Sequence, residues 1–186
     1  MKGSVFIAVT VDGYIASRDG GVDFLDDFQD DEESGSAFTD FMASIDVIVM
    51  GRNTFDKVVS FGEEMYPYGK TPLVVWTRTP DAVKVPDYCK DVVSCSSKPL
   101  TALMDDLKAQ GRTHVYVDGG TTVQSFLRTG MVQELIVTRV PVLLGEGISL
   151  FGKLDHAVKL KHVKTKTFPS GMITTHYQLV APASNN

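Results

Sequence analysis

Short runs of aliphatic and β-branched residues alternate along this chain with segments that have helical spacing. The first run, at residues 5–9, is too short for a helix and too apolar for a strand with one solvated face. It is typical of a strand that is covered on both faces. Further runs of this kind follow at 47–50, 73–76, 92–93, 114–117 and 134–140. Strands that alternate with helices predict an α/β domain with a mostly parallel sheet.

Two amphipathic stripes predict helices that pack on this sheet. Apolar residues recur at i, i+3, i+4 and i+7 over residues 38–45 and again over residues 100–107. Such stripes are more typical of a core-facing helix than of a cofactor motif. Pro99 lies near the start of the second helix and Gly111 lies just past its end, as helix capping favours.

The end of the chain has a different pattern. Extended runs at 159–167 and 172–179 flank Pro169, Ser170 and Gly171, and this turn between two such runs indicates a β-hairpin. We therefore predict an antiparallel hairpin at the C-terminal edge of the sheet. The 186 residues contain no linker, repeat or low-complexity tract, so a single domain over residues 1–186 is expected.

Composition excludes several classes of protein. The chain is 43% hydrophobic, which is typical of a globular domain. It contains no run of about 18 apolar residues, the length that a membrane-spanning helix needs. Its net charge of −5 disfavours a nucleic-acid partner, because phosphate neutralisation needs a basic face. Two cysteines, Cys89 and Cys95, are too few for a disulfide framework and favour a reducing, cytoplasmic location.

An acidic segment separates the first strand from the first helix. Seven Asp or Glu residues lie between Asp23 and Glu33, and glycines interrupt the flanking residues. One interpretation of residues 17–36 is a solvated surface loop. The other is a lid or binding loop, because a long loop without structure is uncommon in a compact domain.

Three strands end in residues that suit the binding of phosphate groups. These residues are Gly51, Arg52, Asn53 and Thr54 after one strand, Thr77 and Arg78 after another, and Gly119, Gly120, Thr121 and Thr122 after a third. Each alone could be a tight turn or a surface charge. Together, at one edge of a parallel sheet, the helix entries and arginines favour an ADP-containing dinucleotide. The two arginines further favour NADP over NAD.

Motifs for other chemistries are incomplete. The histidines show no HExxH spacing, and the two cysteines have no paired His or Cys, so no metal site is predicted. Gly145 and Gly147 lack the third glycine of a Rossmann fingerprint, since position 150 is Leu. No Gly-x-Ser-x-Gly elbow is present to support serine hydrolysis.

Several motifs occur in an order that resembles a known superfamily. They are VTVDGYIA at 9–16, VMGRNTF at 49–55, WTR at 76–78, YVDGG at 116–120, PVLLGEG at 141–147 and LF at 150–151. In this order the chain resembles the dihydrofolate-reductase-like superfamily. It looks closest to the C-terminal reductase domain of bifunctional riboflavin-biosynthesis proteins, although it lacks the His-x-Glu and Pro-Cys-x-x-Cys motifs of their deaminase domain.

The resemblance implies a three-layer α-β-α fold with a mixed sheet of about eight strands, and NADPH across its carboxyl edge. It implies that residues 51–54 hold cofactor phosphates, with Thr77 and Arg78 near the 2′-phosphate. Residues 119–122 would contact the pyrophosphate and the nicotinamide ribose, and Ala8 and Ile15 would flank the nicotinamide. Many relatives are homodimers, so a homodimer is expected.

The resemblance also places the substrate. The substrate-side residues would be Asp12, Leu144, Gly145, Glu146 and Gly147. Asp12 and Glu146 are candidate proton donors, but a turn role before Gly13 is favoured for Asp12, and Glu146 could equally be an ordinary loop charge. A bound water is a further candidate donor, so no catalytic residue is assigned. Folate reductases carry a carboxylate at the start of the first helix, where ungapped counting puts Gly35, with Glu32 and Glu33 close by.

These features predict an NADPH-dependent reductase that transfers a hydride to a small heterocyclic or sugar-phosphate substrate, similar to 5-amino-6-(5-phosphoribosylamino)uracil reductase. A dihydrofolate reductase is the first alternative, which Gly35 disfavours. A non-catalytic NADPH-binding sensor of the same fold is the second.

Overall fold

A computed structural model describes residues 1–28 and 32–180 of the chain. Within these residues the strands are β1 (Lys2–Thr10), β2 (Tyr14–Ala16), β3 (Val47–Gly51), β4 (Leu73–Trp76), β5 (Val93–Ser96), β6 (His114–Asp118), β7 (Glu134–Val140), β8 (Ile148–Ser149), β9 (Leu160–Thr167) and β10 (Ile173–Leu179). The α-helices are α1 (Glu32–Met42), α2 (Arg52–Ser60), α3 (Leu100–Ala109) and α4 (Gly120–Arg128). Short 3-10 helices lie at Asp23–Phe28, Glu63–Met65, Pro80–Ala82 and Asp87–Cys89.

The main sheet has eight strands in the order β5-β4-β3-β6-β1-β7-β10-β9. The six strands from β5 to β7 are parallel, and β10 and β9 add an antiparallel hairpin beyond β7. The predicted mixed sheet of about eight strands and its C-terminal hairpin are therefore confirmed. The parallel arrangement puts the carboxyl ends of β1, β3, β4, β6 and β7 at one edge.

Alternation along the buried strands divides the core into two faces. Val115 and Val117 of β6 point to the face covered by α3 and α4, whereas Tyr116 points to the face covered by α1 and α2. The predicted apolar stripe of α3 faces the core, since its four residues are all buried: Leu100, Leu103, Met104 and Leu107. Helices on both faces of one sheet confirm the predicted three-layer α-β-α fold.

Part of the segment between β2 and α1 has regular structure. It contains the 3-10 helix Asp23–Phe28, whose Phe24, Leu25 and Phe28 pack against Val140 and other residues at the end of the sheet. The helix α1 also begins well before the apolar stripe, within the residues expected to be loop. The surface-loop interpretation is therefore incomplete for residues 23–28, whose apolar side chains have a partner, while residues 29–31 lie outside the described residues.

A second small sheet was not expected. β2 and β8 form a two-stranded antiparallel pair that joins the turn after β1 to the loop after β7. Strands of two and three residues are too short to show a periodicity that sequence patterns could reveal.

In the ranges that the structure describes, none of the helices combines the length and hydrophobicity needed to cross a membrane.

Candidate active site

Two helices begin side by side at the carboxyl edge of the sheet. Gly51 is the N-cap of α2 and Gly119 is the N-cap of α4, and neither helix has a side-chain capping hydrogen bond. The first backbone N–H groups of a helix have no partner within the helix. Two uncapped helix starts therefore present donors and positive dipole ends to the same region, which suits an anion.

The two helix starts are in direct contact. Gly119 has φ of +86°, and a Cβ at this position would lie 2.1 Å from the Thr54 Oγ1 atom of α2. A Cβ on Gly51 would lie 3.2 Å from the Thr122 Oγ1 atom of α4. Glycine is thus required at position 119 both for its backbone conformation and for the close approach. The structure brings together the predicted phosphate residues of both segments.

The polar residues of these two turns differ in their exposure to solvent. Asn53 and Thr121 are exposed, whereas Thr122 is buried against α2. Asn53 and Thr121 are therefore accessible to a ligand, while Thr122 lies between the two turns.

Arg52 and Arg78 follow neighbouring strands. Gly51 and Trp76 are register partners of β3 and β4, so Arg52 and the turn containing Thr77 and Arg78 start from adjacent strand ends. Arg52 forms an ion pair with Asp56, with 3.3 Å between Nε and Oδ2. Arg78 is exposed, and the structure describes no ion pair for it within residues 1–28 and 32–180. Of these two arginines, Arg78 is therefore the more accessible to a bound phosphate.

Ile15 lies at the start of α4, as expected for a residue beside the cofactor. A Cβ on Gly120 would lie 3.1 Å from Ile15 Cδ1 and 3.0 Å from the Ser149 carbonyl oxygen. Ala8 of β1 lies in a different apolar cluster from Ile15, one that contains Val140 and residues of the 3-10 helix Asp23–Phe28. Both residues sit near the end of the sheet, and their placement beside a nicotinamide stays a prediction.

Asp12 joins two loops at the end of the sheet. Its carboxylate accepts the N–H of Gly145 at 2.7 Å, the N–H of Leu144 at 3.2 Å and the Thr10 hydroxyl at 2.5 Å. The bond from Thr10, supported by the two N–H groups, lowers the pKa of the Asp12 carboxyl. Asp12 is thus a carboxylate held in place by donors, and this arrangement favours anchoring over proton donation.

A second contact joins the same loops. Glu146 forms an ion pair with Arg18, with 2.6 Å between the Glu146 Oε2 and Arg18 Nη2 atoms, and both side chains are exposed. A Cβ on Gly147 would lie 2.3 Å from the Ala16 carbonyl oxygen, so the backbones touch there. The predicted substrate residues 144–147 are therefore held against the turn that follows β1. Arg18 was missed because its partner is distant in sequence.

A polar network behind the 119–120 turn was also missed. The Asp118 carboxylate accepts the N–H of Gly119 at 2.7 Å and the Tyr68 hydroxyl at 3.0 Å. The position of Asp118 directly before two glycines was the available signal. Nothing in the sequence around Tyr68 indicated that it would reach β6.

Among the described residues, no three His, Cys, Asp or Glu side chains cluster as metal ligands would.

The order of strands and the helices on both faces of the sheet define a dihydrofolate-reductase-like α/β fold. Dihydrofolate reductase from Schistosoma mansoni superposes with a TM-score of 0.67 over 97% of this chain and 99% of its own, at 18% identity. The family model "RibD C-terminal domain" matches residues 2–174, and the chain belongs to this family.

Two relatives are similar over nearly their full lengths. A protein from Shewanella sp. PV-4 that is assigned by name to riboflavin biosynthesis is 35% identical, covers 97% of this chain and 100% of its own, and has a TM-score of 0.88. The uncharacterized Bacillus subtilis protein YwjB is 32% identical over 95% of this chain and 97% of its own. The expected relation to the reductase domain of riboflavin-biosynthesis proteins is therefore confirmed.

Proposed function

We propose that this chain is a reductase that binds NADPH and reduces a small heterocyclic substrate similar to the phosphoribosylaminouracil that riboflavin synthesis reduces. The observation that carries the proposal is the junction of α2 and α4. Two uncapped helix starts meet there at the Gly119–Thr54 contact, between the arginine-bearing turns and Ile15. Membership of the RibD C-terminal domain family supports the same activity.

The residues present fit a phosphorylated dinucleotide. The N–H groups at the start of α2 and α4 suit the pyrophosphate, and Arg78 suits the 2′-phosphate because a guanidinium binds phosphate with charge-assisted bonds. The reduced nicotinamide would supply the hydride. The chain would fix the distance between donor and acceptor and exclude water, with Ile15 on the cofactor side.

We place the substrate at the carboxyl ends of β1 and β7, because the turns proposed to bind phosphate follow β3, β4 and β6. That end of the sheet carries the anchored loop 144–147 and the apolar residues Phe24, Leu25 and Phe28. This apolar wall suits one face of a flat heterocycle. No side chain is assigned as proton donor, because Asp12 is bound by three donors and Glu146 by Arg18.

A folate substrate is the weaker candidate. Folate reductases resemble this chain in fold, but the position that would carry their carboxylate is Gly35, an exposed residue of α1. The side chains of Glu32 and Glu33 lie outside the described residues. We therefore place the riboflavin precursor first and dihydrofolate second.

Turnover separates the three candidate functions. The purified chain is mixed with NADPH and either the aminouracil substrate or dihydrofolate, and the loss of reduced nicotinamide absorbance is followed. Oxidation with the aminouracil is the expected result, whereas oxidation with dihydrofolate alone would support the folate alternative. Tight NADPH binding without turnover of either substrate would leave only the sensor, and absence of NADPH binding would contradict all three.

A further inference from the structure

The proposed reaction gives no role to the network behind the 119–120 turn. Asp118 is the last residue of β6 and is partly buried. One carboxylate oxygen, Oδ1, accepts the N–H of Gly119 at 2.7 Å, and the other, Oδ2, accepts the Tyr68 hydroxyl at 3.0 Å. Tyr68 is itself buried, and the nearby Tyr116 hydroxyl donates to the Phe6 carbonyl at 2.9 Å.

The bond to Gly119 changes which donors the turn can offer. Because the N–H of Gly119 is bound to Asp118, the N–H groups left for an anion are those of the next residues, at the start of α4. The bond also fixes the direction of the peptide that leads into α4. Asp118 therefore sets the geometry of the turn without being one of its phosphate donors.

The Asp118 carboxylate directly precedes the turn that we propose to bind the pyrophosphate, so its charge would affect the binding of that anion. Burial raises the pKa of the Asp118 carboxyl, and the hydrogen bonds from Tyr68 and Gly119, together with the neighbouring Tyr116 hydroxyl, oppose this shift. The charged side chains at the start of α2, Arg52 and Asp56, pair with each other. No ion pair to Asp118 occurs among the described residues.

We propose that Asp118 is a positioning residue that couples cofactor affinity to the uptake of a proton. Either form of the carboxyl can accept the N–H of Gly119, but only the ionised form places a negative charge behind the pyrophosphate. Binding of the dinucleotide then favours the protonated form, and by linkage the protonated form binds the dinucleotide more tightly. The inference rests on the proposed cofactor site at this turn.

The test measures NADP⁺ affinity by calorimetry as a function of pH. Asp118→Asn is the reference because the amide oxygen can still accept the N–H of Gly119 and carries no charge. The 2′-phosphate of the cofactor also titrates, but its contribution is common to all variants and cancels when each affinity is divided by that of Asp118→Asn. For the wild type we expect this ratio to fall about tenfold as the pH rises through the Asp118 pKa, which corresponds to a cofactor-induced shift of about one pKa unit.

Tyr68→Phe gives an independent and opposite expectation. Loss of its hydroxyl removes a donor that stabilises the ionised carboxyl, so the fall in the ratio moves to higher pH. At an intermediate pH this variant binds NADP⁺ more tightly than the wild type, whereas a merely structural role of Tyr68 would weaken binding. Tyr66→Phe is the matched control, because Tyr66 packs on Tyr68 and its hydroxyl has no hydrogen-bond partner among the described residues.

The outcomes are distinct. If the NADP⁺ affinities of the wild type and Asp118→Asn differ by the same factor at every pH, the coupling is overturned and the proposed function stays intact. Absence of NADP⁺ binding by the wild type at every pH would contradict the cofactor site and this inference together. Should Asp118→Asn not fold, the direction in which Tyr68→Phe shifts the wild-type pH profile, compared with Tyr66→Phe, decides the matter.

Discussion

At the scale of single residues, Arg78 is the proposed determinant of cofactor choice. It is exposed at the end of β4, and no ion pair is described for it in residues 1–28 and 32–180. For Arg78→Ala we expect NADPH affinity to fall by about ten- to a hundredfold, because charge-assisted bonds worth roughly 1.5–3 kcal/mol are lost. NADH affinity should change little, since NADH has no 2′-phosphate.

Fluorescence titration of both reduced cofactors measures this difference. Arg128→Ala is the matched control, because Arg128 is an exposed arginine at the opposite end of α4. Equal weakening of NADPH and NADH by Arg78→Ala would contradict the assignment.

Gly119 allows a second prediction at this scale. Its φ is +86°, and an added Cβ would meet Thr54 Oγ1 at 2.1 Å, whereas Gly13 has φ of +89° with nothing within 4 Å of an added Cβ. Gly13→Ala should cost about 1–2 kcal/mol, the penalty for a Cβ in the left-handed region. Gly119→Ala should cost clearly more, because the steric overlap is added to the same backbone penalty.

Urea unfolding of the two variants and the wild type compares these free energies. Equal destabilisation by both substitutions would show that the contact between the two helix starts can relax without cost.

At the scale of elements, Asp12 connects the β1–β2 turn to the loop between β7 and β8. Its pKa lies below the ordinary value of 3.8, chiefly because of the Thr10 hydroxyl. A carboxylate with a lowered pKa stabilises the fold at pH values above its unfolded pKa, and this contribution is lost as the pH falls through the folded pKa. Asp12→Asn should therefore be less stable than the wild type at neutral pH, and the difference should shrink as the pH falls below about 4.

Thermal unfolding across this pH range tests the expectation. Asp91→Asn is the control, because Asp91 is exposed and the structure describes no hydrogen bond or ion pair to its side chain. A stability difference for Asp12→Asn that stays constant down to the lowest pH would contradict the anchoring role of the ionised carboxylate.

Elements also show what the sequence could and could not predict. The long strands, α3 and the hairpin follow from local periodicity and turn residues, and the phosphate-binding turns are local motifs. The 3-10 helix Asp23–Phe28 escaped prediction because its acidic residues concealed the spacing of Phe24, Leu25 and Phe28. The contact of Asp12 with Gly145 spans 133 positions, and no local pattern encodes a pair so far apart.

At the scale of the whole molecule, the open edge of β9 is where we expect a second copy of the chain. All residues of β9 are exposed, and Leu160 and Val163 are 44% and 43% accessible. β9 pairs with β10 on one side only, so its other side offers unpaired backbone groups. Thr165→Pro should shift the chain towards monomer, because proline removes one N–H from this edge.

Light scattering on a sizing column measures the mass of the wild type and the variant. Thr167→Ala, which keeps the β9 backbone N–H groups, is the control. A wild-type mass of one chain, or an unchanged dimer in Thr165→Pro, would contradict an interface through β9.

The position of β1 in the sheet has a consequence for how the chain acquires its shape during synthesis. β1 lies between β6 and β7, and its register partners include His114 and Leu135. A ribosome must therefore make more than a hundred residues after β1 before either neighbour exists. Until then a strongly apolar strand has no native partner, and its pairing requires closure of a long loop. β1 is made long before β6 and β7, the strands that pair with it, and this delay makes the half-made chain a natural client for chaperones.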